Sequence, residues 1–267
     1  MSLKGFYLPL TPTGNSTLVG TPPWHFSGEF NVIKYKANPE AVNAMLPPVL
    51  EPADDPSACS MFFAEYQSCS DDMHEMDDPI LAQYKESGIM IPAKYKGKPV
   101  SFCAFIWTTK DFSVARGYIQ GYPKHLGEIE MTRVYNLGKA TPQLEEGGRF
   151  VSTLGSKGRR IVYSNLELTK PCENVPSPFG GPPANVRLFP KLDNDSQEVC
   201  ELVRVNNRDI ARGDGWEANA TLKFSEDAGE DILALAPISV DKGYRFSMAF
   251  TVDGGTLLER FEYANRY

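Results

Sequence analysis

A lysine stands on a stiff turn in segment 121–127, which reads GYPKHLG. Pro123 fixes its own φ angle and pushes Tyr122 towards an extended conformation. A free lysine has a pKa of about 10.4, so only about one side chain in a thousand is neutral at pH 7. An apolar pocket or a neighbouring cation lowers that pKa and frees the amine to attack a carbonyl carbon. Lys124 is therefore a candidate amine nucleophile; the alternative is a solvated side chain, as most lysines are.

Two segments carry a resemblance to a known family. Segment 120–127 (QGYPKHLG) resembles the motif that bears the Schiff-base lysine of the acetoacetate decarboxylase family. Segment 84–92 (YKESGIMIP) is similar to the glutamate-bearing segment that precedes this lysine in the family. Supporting similarities follow in the same chain order at residues 30–51, 188–190, 200–202 and 215–218. The resemblance extends from about Trp24 to the C-terminus, and the lysine and glutamate motifs are its specific parts.

The resemblance implies roles for three ionisable side chains. Lys124 is expected to form an imine with the substrate, and Glu86 to act as the acid/base or positioning carboxylate. Taken without the resemblance, Glu86 could equally be a solvated glutamate beside a Ser-Gly turn. Glu65 lies near the family's second pocket glutamate, and strand alternation groups it with Met61 and Phe63 on an apolar face. The alternative for Glu65 is a charge at a sheet edge.

Three positions depart from the pattern of the decarboxylases. His125 follows the nucleophile where decarboxylases often carry a second lysine, and a neutral imidazole lowers a neighbouring lysine pKa less than an ammonium does. Gly28 stands where the decarboxylases place an arginine that meets the substrate carboxylate. Arg116 is the expected substitute, since a guanidinium binds a carboxylate through two parallel hydrogen bonds. A structural ion pair is the alternative role for Arg116.

Further polar side chains complete the expected substrate site. Gln120, four residues before the lysine, is expected to donate a hydrogen bond to a substrate oxygen. Tyr118 and Tyr244 are candidate proton donors, and His125 is expected beside the substrate. The alternatives are contacts with backbone or water for the glutamine and amphipathic core packing for the tyrosines.

Composition excludes several classes of protein. The chain has 267 residues and a net charge of −7, which argues against a nucleic-acid-binding face but not against a small anionic substrate in a locally positive pocket. No run approaches the roughly 18 apolar residues that a membrane span needs. The first residues contain no apolar signal core with a small-residue cleavage site, so we expect a cytoplasmic protein.

Cysteine and histidine content argues against metal or disulfide chemistry. The five cysteines include no Cys-x-x-Cys pair, and the only histidines are His25, His74 and His125. A disulfide framework and a zinc site are both poorly supported by this content. We expect no metal and no cofactor other than the covalent imine on Lys124.

Alternating apolar residues and frequent Gly/Pro turns predict many short strands. The predicted strands cover residues 29–36, 60–67, 88–95, 100–109, 127–135, 149–154, 160–168, 186–190, 198–208, 218–224 and 243–252. Helical signals are few. A helix is expected at 39–46, capped by Asn38 with Pro39 in its first turn. Further helical turns are expected at 123–126 and at the C-terminal end.

This pattern predicts a mostly β, β-rich α+β fold, an antiparallel barrel or double-layered sheet with few short helices. The resemblance implies the acetoacetate decarboxylase-like version of that fold. We expect a single domain over 1–267, with an extended arm at 1–27 and a long Pro/Gly-rich loop at 176–183.

The resemblance implies a Schiff-base-forming lyase that acts on small oxo acids through Lys124. The departures from the decarboxylase pattern favour aldol condensation and dehydration on a 2-oxo acid such as pyruvate. Decarboxylation of acetoacetate or another 3-oxo acid is the first alternative, and a non-catalytic barrel that binds a small metabolite is the second. We expect no nucleic-acid or membrane partner, and the resemblance alone implies a homo-oligomer.

Overall fold

A computed structural model describes residues 2–175, 177, 179–193, 196–226, 228 and 231–262. Its strands are β1 (Trp24–Lys36), β2 (Glu51–Pro52), β3 (Ala58–Ser70), β4 (Gln83–Tyr95), β5 (Lys98–Thr108), β6 (Lys124–Leu126), β7 (Glu128–Met131), β8 (Arg149–Ser156), β9 (Arg159–Cys172), β10 (Ala184–Pro190), β11 (Gln197–Arg212), β12 (Gly215–Phe224) and β13 (Ser239–Arg260). Its α-helices are α1 (Pro39–Met45), α2 (Pro79–Ala82) and α3 (Asp111–Gln120), and 3₁₀ turns cover His74–Met76 and Asp231–Leu235. Strand accounts for 55% and helix for 11%, which confirms the predicted β-rich class.

The strands form one large mixed sheet in the order β6-β5-β4-β3-β1-β13-β12-β9-β8-β7. Neighbours on this path pair antiparallel, except β5 and β6, which are parallel. The sheet curls until β7 contacts β3 and β4. An ion pair of 2.5 Å between Lys85 on β4 and Glu130 on β7 crosses this closure.

The sheet that curls round to β7 forms one barrel-like half. Strands β10 and β11 close a second one on the other face of the same central strands. β11 pairs with β13, and β10 pairs with β11. A bridge between Ser101 and Pro183 ties the start of β10 to β5, and the backbone N–H of Cys103 donates to Asn185 Oδ1 at 3.1 Å. Strands β1, β3, β4, β5 and β13 are therefore shared by two barrel-like halves.

The shared strands are apolar on both faces, because each face lines a different core. On β3, Met61 and Phe63 belong to one apolar cluster, whereas Phe62, Ala64 and Tyr66 belong to the other. Successive side chains in a strand point to opposite faces, so this split follows the strand period of two residues.

The first helix forms where the sequence predicts it. The Asn38 side chain accepts hydrogen bonds from the backbone N–H groups of Glu40 and Ala41, and Pro39 stands at the first helical position. The helix ends at Met45, and Leu46 is already extended. This agrees with the predicted span of 39–46 to within one residue.

Several local predictions are wrong or displaced. Segment 123–126 is not a helical turn, because Lys124–Leu126 pairs in parallel with the end of β5. β13 continues to Arg260 where a helical end was expected, and residues 263–267 lie outside the described part of the chain. β1 begins at Trp24, so the arm is shorter than 1–27. In the predicted loop 176–183, residues 176 and 178 lie outside the described residues.

Helix α3 (Asp111–Gln120) was not predicted from the sequence. Its weak signal has a physical cause, since Gly117 is a poor helix former and the buried face carries Ser113, Arg116 and Gln120 in place of apolar residues. An apolar stripe is the usual evidence for an amphipathic helix. A polar stripe that faces the interior is read as solvent-exposed surface.

Replacement of Phe63 tests the first core. This fully buried ring packs among the apolar cluster, so Phe63→Ala is expected to lower the free energy of unfolding by about 3–5 kcal/mol. Leu137, which is 89% exposed, provides the control. Leu137→Ala should change the free energy of unfolding by less than about 0.5 kcal/mol. Urea denaturation measures both, and equal effects from the two variants would contradict the assigned core.

Candidate active site

The buried face of α3 supplies one wall of the site. Ser113, Arg116, Gly117 and Gln120 are all buried on this helix. Their spacing of i, i+3, i+4 and i+7 places them along one face. Gly121 ends the helix with a φ of 81°, and its N–H bonds back to the carbonyl groups of the last turn. This left-handed residue is a common helix terminator, and it reverses the chain towards β6.

Lys124 is the first residue of β6, and it returns the chain to the face of α3. Its Nζ atom donates hydrogen bonds to Glu86 Oε1 and, at 3.0 Å, to Ser113 Oγ. Ser113 Oγ in turn donates to Glu86 Oε1 at 2.8 Å. The three side chains come from β6, β4 and α3, and all three are buried. They form a closed group of amine, carboxylate and hydroxyl, which we name the Lys124 triad.

The surroundings of the triad lower the pKa of Lys124 from its usual value of 10.5. Burial, which disfavours the charged ammonium, is the largest cause, and the Arg116 guanidinium adds to it. The Glu86 carboxylate acts in the opposite direction, because it stabilises the ammonium. The net shift increases the neutral fraction of the amine at a given pH, and only the neutral amine attacks a carbonyl carbon.

Gly117 makes room for the lysine stem. A Cβ atom at this position would lie 2.5 Å from Lys124 Cδ and 2.7 Å from Lys124 Cγ. Both distances are far below an ordinary carbon–carbon contact of about 3.5–4.0 Å. The absence of a side chain at residue 117 therefore permits the close packing of the helix against the nucleophile.

Arg116 is a buried cation held by neutral groups. Its guanidinium donates to Ser68 Oγ at 3.3 Å and to Tyr84 Oη at 3.0 Å. It also lies 4.7 Å from the centroid of the Phe26 ring and 5.7 Å from that of Phe112. Among the described residues, no carboxylate forms an ion pair with Arg116. Its positive charge is therefore free to meet an anionic substrate group.

Three tyrosines around the site stay protonated. Burial raises the pKa values of Tyr66, Tyr84 and Tyr122 above their usual range, and the charge of Glu86 raises all three further. Since Tyr84 Oη accepts from Arg116, its own proton remains available for donation.

A cavity of about 640 Å³ opens beside the triad and Arg116. Glu86, Lys124, Arg116 and Gln120 line its inner part together with the three tyrosines. The other polar side chains that line it are Ser177, Arg204, Asn206, Asn207 and Arg212, and apolar side chains cover much of the remaining wall: Phe26, Phe62, Met90, Ile106, Phe179, Val205, Ile210, Met248, Phe250 and Val252. This size lies within the range of roughly 300–1,000 Å³ that is typical of small-molecule sites.

The structure brings together four of the side chains predicted for the site and leaves four outside it. Lys124, Glu86, Arg116 and Gln120 line the cavity. Tyr118 lies on the outer side of α3, where it is 44% exposed. His125 is exposed, because its neighbour in β6 points inward and strand side chains alternate. It contacts the Trp107 ring at a centroid distance of 6.0 Å.

Glu65 and Tyr244 are also absent from the cavity lining. Glu65 shares a face of β3 with Met61 and Phe63 as predicted, but the cavity lies on the opposite face, which Phe62 lines. The Glu65 carboxylate instead forms a 2.9 Å ion pair with Arg133 at the surface. The alternative of a charge at a sheet edge is also not met, because Glu65 lies in the middle of β3, which pairs with β1 on one side and β4 on the other.

The three histidines lie apart from one another. His25 pairs with Asp71 at 2.8 Å, and His74 pairs with Asp72 at 2.7 Å. Ligand atoms of Asp72, His74 and Glu75 come within 4.8 Å of one another in a mainly exposed group. None of these side chains lines the cavity.

Sequence reasoning missed Ser113 and the arginines of β11. The spacing of Ser113, Arg116 and Gln120 is the one signal that could have identified the serine, because it places the three on one helix face. Arg204 and Arg212 carry no comparable signal, since only the pairing of β11 with β13 brings that strand to the cavity.

Comparisons with known proteins establish the family. The family model described as "Acetoacetate decarboxylase (ADC)" matches residues 7–261, so the chain belongs to this family. A curated relative, acetoacetate decarboxylase 3 of Mesorhizobium japonicum, is 24% identical over 97% of this chain and 92% of its own length.

Solved structures extend the comparison. The enduracididine biosynthesis enzyme MppR, complexed with pyruvate, is 36% identical over 97% of this chain and 99% of its own, with a TM-score of 0.91. MppR has also been solved with the condensation product of pyruvate and imidazole 4-carboxaldehyde, at 35% identity. An acetoacetate decarboxylase-like enzyme from Sphingomonas wittichii RW1 is 26% identical over 97% of this chain and 100% of its own, with a TM-score of 0.88.

The contact between Gly117 and Lys124 generates a prediction about stability. An alanine normally stabilises a helix by up to about 1 kcal/mol relative to glycine. Gly117→Ala is expected to do the reverse and destabilise by about 1–3 kcal/mol, because its methyl group overlaps the lysine stem.

The Lys124→Ala background is the matched control for this measurement. With the stem removed, Gly117→Ala should become neutral or stabilising in urea denaturation. If Gly117→Ala stabilised the protein in the wild-type background, the close packing of residue 117 against the Lys124 side chain would be contradicted.

Proposed function

We propose that this protein is a Schiff-base-forming lyase that acts on small oxo acids, with Lys124 as the nucleophile. One observation carries the proposal: a buried amine with a lowered pKa contacts a buried carboxylate at the inner end of a cavity. A lysine in such surroundings is expensive to bury and gains reactivity from the burial.

Imine formation would use each member of the Lys124 triad. Glu86 would take one proton from the Lys124 ammonium, and the neutral amine would add to the ketone carbon of the oxo acid. A second proton would pass from nitrogen to the new alkoxide to give the carbinolamine. Glu86 would then return its proton to the carbinolamine hydroxyl, which leaves as water and gives the iminium. Ser113, which bonds to both groups, would orient them. The substrate carboxylate would pair with Arg116, whose positive charge meets only neutral hydroxyl groups among its described partners.

Our preferred continuation is aldol condensation followed by dehydration. Loss of a methyl proton from the pyruvate iminium to Glu86 gives an enamine, and the enamine carbon attacks an aldehyde carbonyl. Proton return and loss of one water give a conjugated iminium, which a second water hydrolyses to the unsaturated oxo acid and free lysine. Two observations support this continuation. The cavity of about 640 Å³ is much larger than pyruvate needs, and MppR binds both pyruvate and a pyruvate–aldehyde condensation product.

Decarboxylation of a 3-oxo acid is the second candidate, and it begins with the same iminium. The carboxylate leaves as carbon dioxide, and its bonding electrons enter the enamine. A specific observation favours this candidate, because the Arg116 cation lowers the Lys124 pKa as a decarboxylase site requires. The curated relative from Mesorhizobium japonicum also bears the decarboxylase name. Carbon dioxide release from acetoacetate, compared with conjugated product from pyruvate plus benzaldehyde, distinguishes the two continuations.

Reductive trapping tests the shared first step. Borohydride added to the protein with pyruvate or acetoacetate should fix one substrate on Lys124, and mass spectrometry of peptides locates it. Lys124→Ala should abolish the adduct, whereas Lys98→Ala, which removes an exposed lysine, should retain it. If no oxo acid is trapped at any pH from about 5 to 9, the range over which a shifted lysine titrates, the proposed Schiff-base activity is overturned.

The lowered pKa of Lys124 predicts the pH dependence of trapping. The amine reacts only when neutral, so the trapping rate should rise with pH and level off above the pKa of the folded protein. Because that pKa lies below 10.5, the midpoint should also lie below 10.5. A rate that follows the titration of an unperturbed lysine would contradict the burial of the amine.

Glu86→Gln separates nucleophile activation from proton transfer. Removal of the carboxylate removes a contribution that raises the Lys124 pKa, so the trapping midpoint should move to lower pH. Turnover should fall by about 10²–10⁴-fold, which is the usual contribution of a positioned acid or base. Wild-type turnover with Glu86→Gln would show that the carboxylate has no catalytic role.

A further inference from the structure

The outer end of the cavity carries two arginines that have no acidic partner among the described residues. Arg204 and Arg212 both lie on β11 and both line the cavity. Neither is within ion-pair distance of a carboxylate among the described residues. Arg208, on the same strand, bonds to Asp253 at 2.6 Å and also pairs with Asp209, and it does not line the cavity. Arg208, which points away from the cavity, is therefore paired with carboxylates, whereas Arg204 and Arg212 have no such partner among the described residues.

Charge is distributed unevenly over the cavity wall. Glu86 is the only carboxylate among the described residues that line it, whereas Arg116, Lys124, Arg204 and Arg212 are basic. The whole chain, in contrast, has a net charge of −7. A locally positive cavity in an acidic protein concentrates anions. One anion, the oxo acid carboxylate, is already assigned to Arg116 at the inner end.

The two cationic ends are separated by several strands. Arg212 is paired with Met248 on β13, which is paired with Gly28 on β1. The path continues through β3 to Tyr84 on β4, the hydroxyl partner of Arg116. Arg212 and the strand that holds Tyr84 are thus four strand spacings apart along the curved sheet, whereas α3 itself contacts β11 directly.

The wall between the two ends is apolar. Phe62, Met248, Phe250 and Ile210 belong to this stretch of the lining. Ile210 is 52% exposed, so an apolar occupant would cover surface that water now contacts. Beside the arginines, the side chains of Asn206 and Asn207 add amide groups to the lining.

We propose that Arg204 and Arg212 form a recognition site for the second substrate, an aldehyde with an apolar body and an anionic group at its far end. This inference rests on the proposed aldol function. The aldehyde carbon lies near the enamine on Lys124, its apolar body contacts the middle of the cavity, and its terminal carboxylate accepts hydrogen bonds from the guanidinium of Arg204 or of Arg212. These two arginines are about 26 Å apart along an extended strand, so each would bind its own anionic group.

Matched aldehydes test this site. With pyruvate as donor, 4-carboxybenzaldehyde is compared with its neutral carboxamide analogue, 4-carbamoylbenzaldehyde. Wild type should prefer the carboxylate in kcat/KM by about tenfold, the factor that one charge-assisted hydrogen bond supplies. The preference should fall with added salt, because both arginines are exposed.

Variants of β11 assign the preference to specific side chains. The double variant Arg204→Gln with Arg212→Gln should lose the preference for the carboxylate, so that the ratio of the two kcat/KM values falls to about one. Arg208→Gln is the matched control on the same strand and should keep the preference. Pyruvate trapping on Lys124 should be unchanged in all variants, because the inner end of the cavity is intact.

The outcomes separate this inference from the proposed function. If pyruvate is trapped but wild type does not prefer the carboxylate, only the second-substrate site is overturned. If the double variant weakens pyruvate trapping as much as it weakens use of the charged aldehyde, the arginines attract anions in general and the inference is also overturned. Failure to trap any oxo acid on Lys124 overturns both. If pyruvate is trapped on Lys124 but no aldehyde condenses with it, the imine step is supported and the proposed second-substrate site is overturned.

Discussion

The burial of one amine against one carboxylate is the interaction on which the rest of the site depends. Lys124 and Glu86 come from β6 and β4, and Ser113 joins them from α3. An isolated charge in an apolar interior is very costly, whereas a hydrogen-bonded pair offsets part of that cost. The pair therefore constrains its surroundings, which must exclude water, satisfy the remaining polar atoms and let the helix approach closely at Gly117.

The two-barrel arrangement explains how the protein bears that cost. Strands β1, β3, β4, β5 and β13 have one face on each core, so each supplies apolar side chains to both halves. The half that lacks the triad is filled by apolar side chains such as Phe63 and Phe150. The other half is incompletely filled, and its remaining space is the cavity. The cavity thus lies in the half that side chains do not fill, on strands that the other core also holds in place.

Electrostatics give the cavity two ends with different roles. At the inner end, burial and Arg116 lower the pKa of Lys124 while Glu86 raises it, and the hydrogen bonds to Glu86 and Ser113 hold the amine in position. At the outer end, the arginines of β11 are exposed and meet solvent. The charges at the inner end affect the pKa of Lys124 because they are buried with it. The exposed arginines at the outer end can contact an entering molecule directly. A bifunctional site of this kind suits a reaction that joins two molecules.

Local sequence determined a large part of this picture. The strand-rich class and the first helix follow from short-range rules of capping and alternation, whereas Lys124 and Glu86 were singled out by the resemblance of their segments to family motifs. Arg116 and Gln120 were correctly expected at the cavity. Each of these features depends on residues near one another in the chain. Helix α3 was missed, because its buried face is polar and a polar stripe predicts solvent exposure.

Tertiary structure decided which face of each strand meets the cavity. Glu65 is placed correctly by alternation within β3, yet the cavity lies on the other face, and no local pattern distinguishes two buried faces. His125 points outward because Lys124 points inward. Arg204 and Arg212 reach the cavity only because β11 pairs with β13 across a long sequence separation. The sequence alone thus singles out Lys124, whereas the fold selects its partners, since strand pairing brings together residues that are distant in the chain.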